Sequence, residues 1–97
     1  MLQKENVLRQ LRDFYRQNAA AYKLKKLGLF GSLARDEAGA ESDIDVVVEF
    51  EHPNLLRQAD LMLSLQEMFG HRVDVVALWK RMNPKLRARI EKDVIYV

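Results

Sequence analysis

The sequence predicts a small α/β (α+β) fold in which a mixed β-sheet is flanked by helices. Three observations predict it: short apolar runs with the two-residue period of strands, longer segments with the spacing of amphipathic helices, and alternation of the two along the chain. The chain has 97 residues, of which 48% are hydrophobic and 31% charged. Residues 1–97 are therefore expected to form one domain around one modest core.

The first half of the chain predicts four elements. In order, they are an amphipathic helix over about residues 3–18, a strand over 25–30, a short helix over about 32–36 and a loop over 37–42. Apolar residues from Val7 to Tyr15 recur at helical spacing and define the first helix. Ser32 follows Gly31 directly after the strand, which predicts that Ser32 caps the short helix.

The second half of the chain predicts five more elements. They are strands over residues 44–50, 72–77 and 94–97, a helix over about 55–69 and a helix that starts at Asn83-Pro84. Asn54 is expected to cap the longer helix and Gly70 to end it. Pro84 suits the first position of a helix, where its missing N–H has no cost.

The composition excludes several classes of protein. The chain has no cysteine, which rules out disulfides, cysteine-based zinc sites and thiol catalysis. Its longest apolar run, residues 75–79, is far shorter than the ~18 residues of a membrane span. The N-terminus has no hydrophobic segment typical of a signal peptide, so the expected location is the cytoplasm.

The charge is mild but unevenly distributed. A net charge of +2 argues against direct nucleic-acid binding, which neutralises many phosphates at once. Basic residues nevertheless concentrate over residues 23–26 and 80–92. These clusters fit either a solvated surface or a docking face for a phosphate-bearing ligand or an acidic partner.

Two acidic residues open the strand predicted over residues 44–50. Side chains at positions i and i+2 of a strand point to the same face, so Asp43 and Asp45 project together, about 6.6 Å apart along the strand. Like charges this close repel, and Mg²⁺, which prefers carboxylate oxygens, resolves the conflict. The same pair is also typical of a turn that starts a strand, and both interpretations remain open at this point.

Two further features favour the metal interpretation. Gly31 permits close approach of the backbone, and the helix that follows offers unpaired N–H groups and the Ser32 hydroxyl to a phosphate. Asp74 lies between Val73 and Val75 in the next predicted strand. Placing a carboxylate among apolar residues costs free energy. Binding a metal ion or accepting a proton in a reaction would explain its presence.

Three segments resemble the motifs of the polymerase-β-type nucleotidyltransferase superfamily: Gly31-Ser32-Leu33-Ala34-Arg35, Ser42-Asp43-Ile44-Asp45-Val46-Val47-Val48 and Val73-Asp74-Val75-Val76. From about residue 20 to the C-terminus, the chain is similar to the minimal nucleotidyltransferase (MNT) antitoxins that pair with HEPN-domain toxins. The resemblance implies a polymerase-β-like nucleotidyltransferase fold. It also implies transfer of AMP from ATP to a hydroxyl, expected to be a tyrosine of a HEPN ribonuclease toxin, which silences the toxin.

The same resemblance implies roles for individual residues. Gly31 and Ser32 would hold the β- and γ-phosphates of ATP. Asp43, Asp45 and Asp74 would bind Mg²⁺, expected as two ions, with Asp45 and Asp74 sharing the ion that activates the acceptor. A two-metal site of this kind stabilises both the attacking and the leaving oxygen. Asp74 is the candidate to help take the hydroxyl proton.

The two residues after this motif are harder to interpret. Arg35 is a candidate phosphate ligand, although an exposed helix arginine fits its position equally well. Asp36 stands where the family often has glycine. Aspartate tolerates unusual backbone angles, so the turn is expected to survive. Its negative charge beside a triphosphate is unfavourable for the catalytic rate.

The helix predicted over residues 55–69 has more apolar residues than one core stripe requires. The expected stripe consists of Leu55, Ala59, Met62, Leu65 and Phe69, and it is widened by Leu56, Leu61, Leu63 and Met68. Either the sheet and its neighbours bury all of them, or part of the helix forms the surface for a partner or a homodimer.

Two alternative functions accompany the enzyme interpretation. The wide apolar helix and the basic cluster of residues 80–92 also fit a catalytically weak antitoxin that neutralises its partner by forming a complex. A small transferase that acts on RNA or a small molecule is the other alternative, and the mild net charge argues against it.

Overall fold

The computed structural model of the protein describes residues 2–37 and 43–97. Its elements are α1 Lys4–Tyr22, β1 Leu24–Phe30, α2 Gly31–Ala34, β2 Ile44–Phe50, α3 Leu55–Phe69, β3 Val73–Ala77, α4 Pro84–Asp93 and β4 Ile95–Tyr96. Within these ranges, no helix combines the length and the apolar character needed to cross a membrane. The predicted α+β class is confirmed, whereas the single-domain organisation over residues 1–97 stays a prediction.

The four strands form one mixed sheet in the order β3-β2-β1-β4. β2 and β3 run parallel, and β1 is antiparallel to both β2 and β4. The register places Asp45 of β2 between Phe30 of β1 and Asp74 of β3. Directly paired residues share a face of the sheet, so this register fixes which side chains meet.

One face of the sheet carries the larger part of the core. Ile44, Val46 and Val48 of β2 are fully buried there, packed against α1 and α3. The two helices are also joined directly, because the Tyr22 hydroxyl lies 2.9 Å from that of Ser64. This face therefore anchors β2, the strand that carries Asp45.

The opposite face carries a smaller core and the acidic residues. Val47 of β2 packs there against Leu78, Met82 and Ile90, the last of which is on α4. Asp45 lies two residues before Val47 and so has the same orientation. α4 therefore covers part of the second face and leaves a hollow beside the start of β2.

The ends of α3 and α4 confirm the caps predicted from the sequence. The Asn54 side chain accepts a hydrogen bond from the N–H of Arg57, and Gly70 ends α3 with a left-handed φ of 61°. At the start of α4, the Asn83 side chain accepts from the N–H groups of Lys85 and Leu86, and Pro84 takes the first turn. Both helices thus begin and end where their local chemistry requires.

Two predictions about the first helices are wrong. α1 continues to Tyr22 instead of ending near residue 18, since residues 19–21 are alanines, the strongest helix formers, and Lys23 then ends it with a φ of 54°. α2 begins at Gly31, and its cap residue is Phe30, which offers no side-chain acceptor. Ser32 is inside the helix and does not cap it.

The core stripe predicted for α3 is wrong in part. The fully buried residues are Leu61 and Leu65, while Leu55 and Ala59 are exposed. The sequence pattern could not choose between overlapping stripes, because apolar residues occupy too much of the helix circumference. Of the loop predicted over residues 37–42, Glu37 is non-helical and residues 38–42 lie outside the described residues.

Candidate active site

Three acidic side chains lie at the same end of two neighbouring strands. Asp45 and Asp74 are directly paired across the parallel strands β2 and β3, and Asp43 comes just before β2. Asp43 and Asp45 are partly buried, and Asp74 is exposed. The register therefore brings together the three residues that the sequence singled out.

The electrostatics of the cluster are those of unbalanced negative charge. Burial raises the pKa of Asp45, and the nearby carboxylates of Asp74 and Asp43 raise it further, while Arg35 acts in the opposite direction. Arg72 lies 3.7 Å from Asp43, too long for a strong ion pair. Asp74 forms no ion pair within the described part of the chain. A bound cation would relieve this repulsion.

Gly31 is required where the backbone passes Asp45. Its φ of 78° is in the region that side chains disfavour, and a Cβ at this position would overlap the Asp45 carboxylate, with 2.9 Å to its Cγ. Any other residue type here would be strained and would require the Asp45 side chain to move. The close approach sets the backbone of α2 directly against the acidic cluster.

A hollow of about 320 Å³ opens beside this contact. Its walls are formed by Phe30, Gly31, Ser32, Arg35, Asp45, Leu86, Arg89, Ile90 and Asp93. The structure thus gathers Gly31, Ser32, Arg35 and Asp45 around one space, whereas Asp43 and Asp74 neighbour Asp45 without lining it. The Ser32 hydroxyl makes no hydrogen bond within residues 2–37 and 43–97, which leaves it available to a ligand.

Arg35 is neutralised by two carboxylates. Its guanidinium donates to Glu37 at 2.9 Å and to Asp93 of α4 at 2.7 Å. These hydrogen bonds raise the pKa of Arg35 above its ordinary value. Arg35 therefore connects α2 to α4, and little of its charge remains for a phosphate.

Arg89 is the residue that sequence reasoning missed. It projects from α4 into the wall of the same hollow and has no ion pair within the described ranges. The basic cluster of residues 80–92 was a signal for it. The sequence could not say which of the six cations in that cluster turns towards Gly31.

Asp36 points away from the hollow. Its φ of 61° confirms that the position is left-handed, as expected where the family often has glycine. The Nζ of Lys4 lies 2.8 Å from the Asp36 carboxylate, and this hydrogen bond raises the pKa of Lys4. The negative charge is thus balanced on the α1 side, outside the lining of the Gly31 hollow.

The donor chemistry of the acidic cluster fits Mg²⁺, which prefers carboxylate oxygens. Among the described residues, no group of three or more His, Asp or Glu side chains is arranged to hold a metal ion. Asp43, Asp45 and Asp74 are neighbours, but their side chains are not arranged around a common metal position. Metal binding by this set stays a prediction.

Known proteins share this fold and sequence. The profile of the nucleotidyltransferase domain matches residues 8–97. Protein adenylyltransferase MntA of Thermococcus cleftensis is 38% identical over 73 residues, which cover 74% of this chain and 69% of that protein. A solved structure of a candidate minimal nucleotidyltransferase has a TM-score of 0.77 at 35% identity, over 97% of this chain and 95% of that one.

A more distant match shows the fold alone. A complex of tri-AMPylated HEPN toxin from Shewanella oneidensis with MNT antitoxin contains a chain with a TM-score of 0.70 at 20% identity, over 96% of this chain and 70% of that one. The fold and the sequence matches define the class of nucleotidyltransferases. Within it, the chain belongs to the nucleotidyltransferase domain family as a minimal member related to MntA. The predicted resemblance is confirmed.

Proposed function

We propose that the protein is an antitoxin that transfers AMP from ATP to a tyrosine hydroxyl of a HEPN-type ribonuclease toxin, with Mg²⁺ bound at Asp43, Asp45 and Asp74. One observation carries this proposal: Asp45, which is paired with the like-charged Asp74, lies against Gly31 in a hollow whose Arg89 has no ion pair within the described residues. At such a place, bound cations would offset the negative charge of both the carboxylates and a triphosphate. The adenylyltransferase name of MntA supports the choice of reaction.

The reaction is an in-line exchange at the α-phosphorus. The acceptor oxygen forms a bond to that phosphorus, the bond to the oxygen that bridges to the β-phosphate breaks, and pyrophosphate leaves. When bound, Mg²⁺ would neutralise the charge that develops on the phosphate oxygens. Asp74, the most exposed acid of the cluster, is the candidate to accept the proton of the hydroxyl.

The remaining residues bind and orient ATP. The N–H groups at the start of α2 and the Ser32 hydroxyl donate to the β- and γ-phosphates, since Gly31 leaves the backbone open to them. Arg89 supplies positive charge to the phosphates, because the guanidinium of Arg35 is already paired with Glu37 and Asp93. Arg35 acts by fixing α4 and hence the position of Arg89.

The test is transfer of label from ATP carrying ³²P at the α-phosphate. The protein is incubated with this ATP, MgCl₂ and the purified product of the adjacent gene, which the proposal requires to be a HEPN protein. We expect label on the HEPN protein, loss of it with EDTA, and none with the double variant Asp43→Asn/Asp45→Asn. An unlabelled HEPN protein, or equal labelling by the double variant, contradicts the proposal.

A second candidate function is neutralisation by binding alone. The exposed side chains of Leu55, Leu56 and Trp79 favour it, because exposed apolar side chains outside the Gly31 hollow are suited to binding a partner. The double variant decides the matter: if it binds the HEPN protein and still blocks its ribonuclease activity, antitoxin action needs no transfer. A homodimer through α3 uses the same surface and is tested by sedimentation of the protein alone.

A further inference from the structure

The largest exposed apolar side chains gather at one place on the fold. Leu55 is 83% exposed, Leu56 81% and Trp79 52%. Leu55 and Trp79 border a groove of about 450 Å³ between the start of α3 and the outer edge of β3, the α3–β3 groove, which is lined by Pro53, Leu55, Gln58, Val75, Ala77 and Trp79 among others. A patch of this kind on so small a chain marks an interaction surface.

Two backbone groups at the outer edge of β3 are occupied by side chains of α3. The Gln58 side-chain amide donates to the carbonyl of Val75, and the Gln66 side chain accepts from the N–H of Val73. Both glutamines come from α3 and occupy backbone groups that strand addition would need. An occupant of the groove therefore packs side chains into it, as an amphipathic helix does.

The charged residues around Trp79 indicate which side chains the docked helix of the partner would have. On the far side of Trp79, a second hollow is lined by four cations, namely Lys25, Lys80, Arg81 and Arg87, and by two carboxylates, Glu49 and Glu51. Lys80 and Arg81 have no ion pair within the described part of the chain. Acidic side chains on the occupant would complement them.

The groove continues the strand that carries Asp74. It begins at Val75, and from Asp74 to Ala77 the strand rises by about 10 Å, the length of two helical turns. Asp74 projects from the face of the sheet opposite α3, so a protein whose helix is seated in the groove would reach the acidic cluster around the edge strand β3.

We propose that the α3–β3 groove and Trp79 are the docking surface for an acidic amphipathic helix of the acceptor protein. The proposal rests on the proposed function, which makes that acceptor a HEPN-type toxin. Docking at this distance from Asp74 would select the acceptor by a surface separate from the nucleotide hollow.

The test measures binding and transfer separately, using the purified HEPN protein as the probe. Leu55→Asp and Trp79→Ala are expected to weaken binding without ATP at least tenfold, and to raise the KM for the HEPN protein in the transfer reaction to the same extent. ATP binding stays unchanged. The matched control is Leu63→Asp, because Leu63 is exposed on the same helix but does not line the groove.

A second pair of variants tests the charge. Lys80→Glu/Arg81→Glu should weaken binding more at low salt than at high salt, while Lys85→Glu, on an exposed residue outside both hollows, should not.

If Leu55→Asp and Trp79→Ala bind the HEPN protein with unchanged affinity, the docking proposal is wrong, even if the wild type transfers label. A wild type that binds the HEPN protein without labelling it overturns the proposed function alone. If Leu55→Asp instead dissociates a dimer of this chain and leaves HEPN binding intact, the groove holds a second copy, and the docking proposal is wrong.

Discussion

The carboxyl groups of Asp45 and Asp74 project from directly paired positions of two parallel strands, on the face of the sheet that α4 partly covers. Neither carboxylate is neutralised within residues 2–37 and 43–97. The arrangement costs the folded protein stability, and the proposed binding of Mg²⁺ would offset that cost.

Replacement of Asp45 should stabilise the protein at neutral pH. The folded state raises the pKa of this carboxyl, so between its ordinary and its raised pKa the folded chain binds more protons than the unfolded chain, and stability falls as pH rises. Asp45→Asn removes this cost. Its melting temperature should exceed that of the wild type at pH 7, and the difference should shrink below about pH 4.

Asp60→Asn is the control for this experiment, because Asp60 is an exposed acid on α3. Mg²⁺ should raise the melting temperature of the wild type but not that of Asp45→Asn. A wild type that is more stable than Asp45→Asn at pH 7 without Mg²⁺ would refute this account of the cluster.

Gly31→Ala should destabilise the protein more than Gly70→Ala does. Both glycines have positive φ, so each substitution costs about 1–2 kcal/mol of backbone strain. The new Cβ at residue 31 also meets Asp45, whereas that at residue 70 has nothing within 4 Å. Urea denaturation of the two variants measures the difference, and equal losses would show that the approach of Gly31 to Asp45 is unimportant.

Arg89→Ala should raise the KM for ATP about tenfold and leave kcat nearly unchanged. A hydrogen bond to a charged group contributes about 1.5–3 kcal/mol, and 1.4 kcal/mol corresponds to a tenfold change. Lys92→Ala removes a charge from the same helix outside the hollow and serves as the control. If both variants keep the wild-type KM, Arg89 does not contact the triphosphate.

Asp36→Gly tests the departure from the family pattern. Since the Asp36 carboxylate pairs with Lys4 outside the hollow, the rate of AMP transfer should change by less than about twofold. A gain of tenfold or more in kcat would mean that this charge acts on the triphosphate after all.

The sequence predicted the strands and the acid positions well because their signals are local. The alternation in residues 44–50, the β-branched run that contains Asp74 and the capping residues Asn54 and Asn83 each determine structure within a few neighbours. Proximity of Asp45 to Asp74 then follows once their strands pair in parallel. Periodicity does not report which strands pair or in which direction, so this parallel pairing was not predicted.

The parts that sequence reasoning missed depend on tertiary contacts. Arg35 is neutralised by Asp93, which lies 58 residues away, and Arg89 reaches the hollow only because α4 packs on the second face. The close passage of Gly31 beside Asp45 joins two residues that are 14 positions apart in the sequence. No local pattern reports these contacts.

The most direct test of the acidic cluster is the rate of AMP transfer to the HEPN protein for Asp43→Asn, Asp45→Asn and Asp74→Asn, each measured alone at saturating MgCl₂. The rate of AMP transfer should fall about 100-fold or more in each variant. Each substitution is expected to remove several kcal/mol of stabilisation of the charge that develops in the transition state. Asp60→Asn should retain the wild-type rate. A wild-type rate in any of the three variants would contradict the assignment of these acids to one metal-dependent site.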